Sequence, residues 1–276
     1  MEILKIAAFS DGDTGGNPAG VVIGNTLPSA QDMQNIAAEV GFSETAFAAP
    51  IKDKWRVRYF SPESEVPFCG HATIALGAAL AMKYGDNEFA LTLNDANVTV
   101  SGQRDAHLIK AILQSPPTRS KPANREMVTG ALKLLGYTQD DLDPRIPPAR
   151  AHGGADHLIL ALKERRKLSA MNYGLNAGRS FMKTHDLVTI ALVVTQTDTL
   201  FHARNAFASG GVLEDPATGA AAAALAGYLR DINWPHANAI NIIQGEDMGM
   251  RSLLRAEFTD EIGSSVRLSG TARIMQ

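Results

Sequence analysis

Residues 70–83 and 217–229 are apolar on nearly every side. Neither shows the one-sided stripe of a surface helix, so each predicts a helix wrapped by other elements. Elsewhere the pattern turns to short apolar or alternating runs, the mark of strands. In the first half these are 3–9, 19–23, 44–49, 55–60, 90–93, 97–100 and 108–113, with Trp55-Arg56-Val57-Arg58-Tyr59 alternating cleanly. In the second half they are 157–162, 188–194, 200–206, 240–244, 253–258 and 265–274. Ser29 followed by Asp32 predicts a capped helix running to Val40 and stopped by Gly41. Further helices are expected near 125–135 and 164–171, and a Pro-rich turn at 144–148. Residues 115–124 hold three prolines and no apolar run, which predicts a linker.

The two apolar helices follow the same phrase. Glu65-Val66-Pro67-Phe68-Cys69-Gly70-His71 leads into the first, and Glu214-Asp215-Pro216-Ala217-Thr218-Gly219-Ala220 leads into the second. Without a gap, Glu65 falls on Glu214, Pro67 on Pro216, Gly70 on Gly219, Leu76 on Leu225 and Leu80 on Leu229. Two pseudo-equivalent lobes are therefore expected, each a curved, mostly antiparallel sheet around a central helix, an α+β fold. The first lobe would cover 1–118 and the second 119–264. The strand at 265–276 is suspected of returning to the first lobe, which would bring the termini together. A cleft between the lobes is the natural ligand site.

A chain of 276 residues accommodates two such lobes. With 45% hydrophobic and 20% charged residues it is expected to be globular and soluble. Net charge −3 supplies no basic footprint for nucleic acid. The basic run Lys163-Glu164-Arg165-Arg166-Lys167 reads as a solvated turn. Cys69 is the one cysteine, so no intrachain disulfide forms. The first residues lack a secretory pattern, and 217–229 is too short to span a bilayer, so a cytoplasmic protein with no membrane partner is expected.

The candidate chemistry gathers at the two turns. The start of a helix has N–H groups without internal partners and a positive dipole end. Two such ends facing one cleft would hold a carboxylate, and Gly70 and Gly219 would let it approach the backbone. Asp215 is either an N-cap or a carboxylate in the cleft. Glu44, in Gly41-Phe42-Ser43-Glu44-Thr45-Ala46-Phe47, is either a strand-end acid in water or a desolvated carboxyl suited to proton transfer near neutral pH. Cys69 and His71 invite a cysteine-nucleophile reading, although side chains two residues apart at a turn need not meet. His71 at a helix start is disfavoured as a cation. The other histidines form no HxH or HxxxH pair, so no metal site is expected. The glycines of 12–20 follow neither the dinucleotide nor the P-loop pattern, so no cofactor is expected.

Together these residues resemble the PhzF-like isomerases of phenazine biosynthesis, which share the diaminopimelate-epimerase fold. The resemblance is carried by Gly16-Asn17-Pro18-Ala19-Gly20-Val21-Val22, Gly41–Phe47, Arg58-Tyr59-Phe60-Ser61-Pro62 with Glu65–Thr73, and Glu214–Gly219. It spans most of the chain and is weak over 115–200. It implies a cofactor-independent isomerase, usually a homodimer, that moves a proton between carbon positions of a small carboxylated substrate. By position it implies Glu44, His71 and Asp215 as catalytic residues. Asn17, Gly70, Ala72, Thr218, Gly219 and Ala220 are implied as substrate-binding residues.

Three departures accompany the resemblance. Ala220 stands where the phenazine enzymes commonly carry a hydroxyl. Gln244–Ser252 lacks the family's usual Arg-Pro-Ser wording. The second thiol of a true epimerase is missing. Two alternatives stay open: a non-catalytic small-molecule-binding protein on the same scaffold, and a hydrolase built on Cys69 and His71.

Overall fold

The computed structural model describes residues 2–275. Eight strands form one closed ring. Leu4–Ser10 pairs antiparallel with Asn17–Ile23, which runs parallel to Thr45–Ile51. Lys54–Phe60, Asn87–Thr92, Asn97–Asp105 and Leu108–Pro117 follow, and Ser265–Ile274 closes the ring by pairing with both Leu108–Pro117 and Leu4–Ser10. Inside sits the helix Gly70–Tyr84, buried from Gly70 to Ala81. The expected wrapped helix is therefore literal: a barrel encloses it.

The second half repeats the path. Ala149–His152, Asp156–Ala161, Thr189–Thr197, Leu200–Ala206, Ala239–Gln244, Ser252–Glu257 and Ser265–Ile274 pair in that order around the helix Gly219–Asp231, buried from Gly219 to Arg230. Arg119–Pro122 pairs with Ala149–His152 and joins the last strand through Thr118 N–H, 3.4 Å from the Ser264 carbonyl.

Residues 115–124 are thus not a linker. They end one strand and form the next, in a continuous path from the first barrel to the second. The prolines mislead because Pro116 and Pro117 lie where pairing passes from the C-terminal strand to Ala149–His152, so little of the ladder needs their missing donors. Arg230, buried at the end of the second central helix, clasps this crossing. Its guanidinium donates to Thr118 Oγ1 at 2.7 Å and to Ser264 Oγ at 2.9 Å.

Coverage of the outer faces explains the strand patterns. Ile109, Ala111 and Leu113 face the first helix while Lys110 and Gln114 face out, which gives alternation. In the second barrel Ile159 and Ala161 face inward, whereas Leu158, Leu160 and Leu162 face an outer apolar layer with Met127, Leu132 and Met182. Both faces are buried, so the strand reads as an unbroken apolar run. That layer is built by helices Arg125–Leu135 and Leu175–Thr184, the latter not expected although Leu175, Gly178, Phe181 and Met182 form a one-sided stripe. Helix Ala30–Val40 covers the first barrel, with Ser29 accepting from Asp32 N–H and Gly41 in the left-handed region at φ 71°. No helix among the described residues is long and apolar enough to cross a membrane.

Candidate active site

The two central helices meet start to start. A methyl group on Gly70 would stand 3.1 Å from Gly219 Cα, and one on Gly219 would stand 3.3 Å from Gly70 Cα. The glycines therefore let the helices approach each other, rather than only a ligand. The first intrahelical bonds run from Thr73 N–H to the Cys69 carbonyl and from Ala222 N–H to the Thr218 carbonyl. The N–H groups of Gly70, His71 and Ala72, and of Gly219, Ala220 and Ala221, consequently have no helical partner. Both positive ends point into the seam.

Each turn is held by the same fork. Arg58 reaches Glu65 through Nε and Nη2 at 2.7 and 2.6 Å, and Arg204 reaches Glu214 at 2.9 and 2.5 Å. The strand registers agree: Phe60 opposes Glu65 and Ala206 opposes Glu214. The aligned glutamates thus anchor the turns and do not face the ligand. In the first fork, hydrogen bonding from Arg58 holds the Glu65 carboxyl below its ordinary range. Arg204 also donates to the Ser169 carbonyl at 2.8 Å, tying in residues 165–171.

Between the helix starts lies a cavity of about 50 Å³. Glu44, Phe68, Cys69, Gly70 and His71 line one side, and Asp215, Thr218, Gly219, Ala220, Phe207, Val188, Ala155 and His157 line the other. Glu44 immediately precedes its strand and is 6% exposed, so the reading in which it reaches water fails. Among the described residues its Oε2 has no hydrogen-bond partner, and it lies 3.4 Å from His71 Nε2. Asp215 is held from two sides: Asn17 Nδ2 donates to Oδ1 at 2.6 Å and Thr218 Oγ1 to Oδ2 at 2.5 Å. Burial, with the nearby Glu44 adding to it, pushes this carboxyl up to about 6 despite His71 and the two donors.

Two of the expected substrate-binding residues lie off the cavity wall. Asn17 spends its amide on Asp215 and on the Ala217 carbonyl, 2.9 Å away, and so braces the opposite lobe's turn. Ala72 is wholly buried in its helix. Cys69 and His71 do meet, with Sγ 3.3 Å from Nδ1. Donor atoms of Glu44, Cys69 and His71 lie within 4.8 Å of one another, a cluster that histidine spacing alone could not reveal. Burial, and then Glu44, raise the Cys69 thiol well above its ordinary value, which opposes the thiolate that a metal or a nucleophile requires. Sequence reasoning missed His157 and passed over Phe207. The repeat placed Phe207 beside the second turn, but nothing marked His157.

Twin barrels opposed at their helix starts, with acidic and imidazole side chains in the seam, define the scaffold of the epimerase-type isomerases. The family model of the phenazine biosynthesis-like proteins (PhzC-PhzF) matches residues 6–276, and the chain belongs to that family. It is 30% identical to the uncharacterized isomerase YddE of Escherichia coli, over 99% of this chain and 96% of that one. It is also 30% identical to the trans-2,3-dihydro-3-hydroxyanthranilate isomerase of Pseudomonas aeruginosa, over 97% and 94%. In structure it is similar to a Bacillus anthracis protein of the PhzF family, with a TM-score of 0.85 at 21% identity over 100% and 98% of the two chains. A probable proline racemase of Agrobacterium radiobacter shares the fold at a TM-score of 0.67. The chain is an isomerase of the PhzF type.

Proposed function

We propose that this protein moves a proton between carbon positions of a small carboxylated substrate without a cofactor. The observation that carries the reading is the bare Glu44 Oε2, buried opposite Asp215 between two helix starts. The free N–H groups hold the substrate carboxylate. Glu44 takes a proton from a carbon next to a carbon–carbon double bond of the substrate, the electron pair shifts through that double bond as it migrates, and Glu44, whose proton exchanges with water, protonates the far carbon. His71 and the helix-start N–H groups hold the charge that develops, and Asp215 takes the substrate's charged or donor group. At about 50 Å³ the cavity is far below the roughly 300 Å³ of an ordinary ligand pocket, so binding requires the lobes to part. A trans-2,3-dihydro-3-hydroxyanthranilate-like compound is the first substrate to try, given the Pseudomonas relative's name. Ala220 replaces a hydroxyl at this wall and alters how such a ring would be held. Assembly as a homodimer belongs to the same reading, and light scattering should return twice the mass of one chain.

The test is deuterium entry into substrate carbon in D2O, followed by NMR over a panel of cyclic and acyclic amino and hydroxy carboxylates. Glu44→Gln should lower exchange by about 10²–10⁴-fold and leave binding within about tenfold. Exchange that survives in Glu44→Gln would sink the assignment. The Cys69–His71 contact favours a second reading, a cysteine hydrolase. Cys69→Ala separates the two: it abolishes a hydrolase, and leaves proton transfer within about tenfold.

A further inference from the structure

His157 is the second residue of the strand Asp156–Ala161, fully buried, and it lines the same cavity. Its Nδ1 lies 2.8 Å from Thr189 Oγ1. The Thr189 hydroxyl donates its one hydrogen to Asn205 Oδ1 at 2.9 Å. Toward His157 it can therefore only accept, which places the imidazole proton on Nδ1. Burial pushes the ring down to about 3, so it stays neutral at working pH. A neutral ring protonated at Nδ1 presents a lone pair at Nε2. That atom is buried and has no partner among the described residues.

We propose that His157 is a ligand-binding residue that selects substrates carrying an N–H or O–H donor on the side facing the second lobe. This rests on the isomerase reading and narrows its substrate class to amino or hydroxy carboxylates whose donor lies opposite the Glu44 side. Leaving a buried acceptor unmet is costly, and the group best placed to meet it is a ligand in the cavity. The fold itself does not demand an imidazole there. Gly20 opposes Thr45 as Leu158 opposes Ile190, so the first barrel's equivalent of His157 is Ala19.

The test uses anthranilate and 3-hydroxyanthranilate against benzoate, which carries no N–H or O–H donor on its ring. Calorimetric titration compares the wild type with His157→Asn and His157→Gln, each checked for folding by circular dichroism. An asparagine amide can take the place of Nδ1 and keep the Thr189 bond, but it offers nothing at Nε2. A glutamine can return an acceptor near Nε2. The wild type should prefer the amino compounds by about tenfold or more. That preference should fall to near unity in His157→Asn and return in part in His157→Gln. A preference unchanged in His157→Asn, or absent in the wild type, overturns the proposal. Nitrogen-15 NMR of histidine-labelled protein should show the neutral Nδ1–H form, with the Nε2 resonance moving on addition of 3-hydroxyanthranilate. An Nε2–H form overturns it. A His157-dependent preference without Glu44-dependent deuterium exchange would defeat the isomerase reading alone, and no binding by any probe would defeat both.

Discussion

The two turns are one device in two settings. Arg58 and Glu65 are partly exposed, at 22% and 27%, whereas Arg204 and Glu214 are buried at 11% and 6%. Arginine, glutamate, proline and glycine recur because they build the turn and let the helices meet. Gly70 and Gly219 apart, the residues that line the cavity do not recur. Val66 stands against Asp215, His71 against Ala220 and, by strand register, Glu44 against Thr189 and Ala19 against His157. The duplication thus preserved the scaffold and diverged in chemistry, so one side supplies Glu44 beside His71 and the other a held Asp215 and a neutral imidazole.

Removing the buried arginine should cost most. Arg204→Met leaves Glu214 buried without its partner and frees the Ser169 carbonyl, so stability should fall by about 3–5 kcal/mol. Urea unfolding measures it, and a loss below about 1 kcal/mol would mean that burial does not distinguish the forks. Asp215→Asn sharpens the contrast at the cavity. The Asp215 carboxyl is raised to about 6 in the fold from its ordinary 3.8, so the folded protein keeps a proton that the unfolded chain has released. Its contribution is full below about pH 4 and is lost as pH rises toward 6, on the order of 3 kcal/mol by pH 7. Melting temperatures between pH 4 and 7 should lose that slope in Asp215→Asn, and an unchanged slope would assign it elsewhere. Arg58→Met, at the water-facing fork, should cost no more than about 1 kcal/mol by the same urea measurement.

Much of this was legible in the sequence where a local signal stood alone. Ser29 and Gly41 bracket one helix, and the central helices announced themselves by lacking a polar face. The helix Leu175–Thr184 escaped notice because Gly174 gives no side-chain cap and its apolar stripe, Leu175, Gly178, Phe181 and Met182, is interrupted by a glycine. The linker reading failed because proline was weighed by composition, whereas its cost depends on which ladder bonds are needed. Glu44, His71 and Asp215 could be singled out because the repeat and the family motifs mark them. His157 could not, since its tautomer is set by Thr189 and Asn205, 32 residues and more away in the chain, and its neutral state by burial in the fold.

The crossing of strands has a consequence for how the molecule comes into being. The first barrel does not close on its own residues, since Ser265–Ile274 is the strand that joins Leu4–Ser10 to Leu108–Pro117 among the described residues. On the ribosome, where N-terminal parts commonly fold first, this half must wait with an open seam and an incompletely wrapped apolar helix until the last strand emerges. The pairing of residue 6 with residue 274 makes that wait almost the length of the chain. Slow, late closure follows from such distant contacts, and with it a long exposure to chaperones during synthesis.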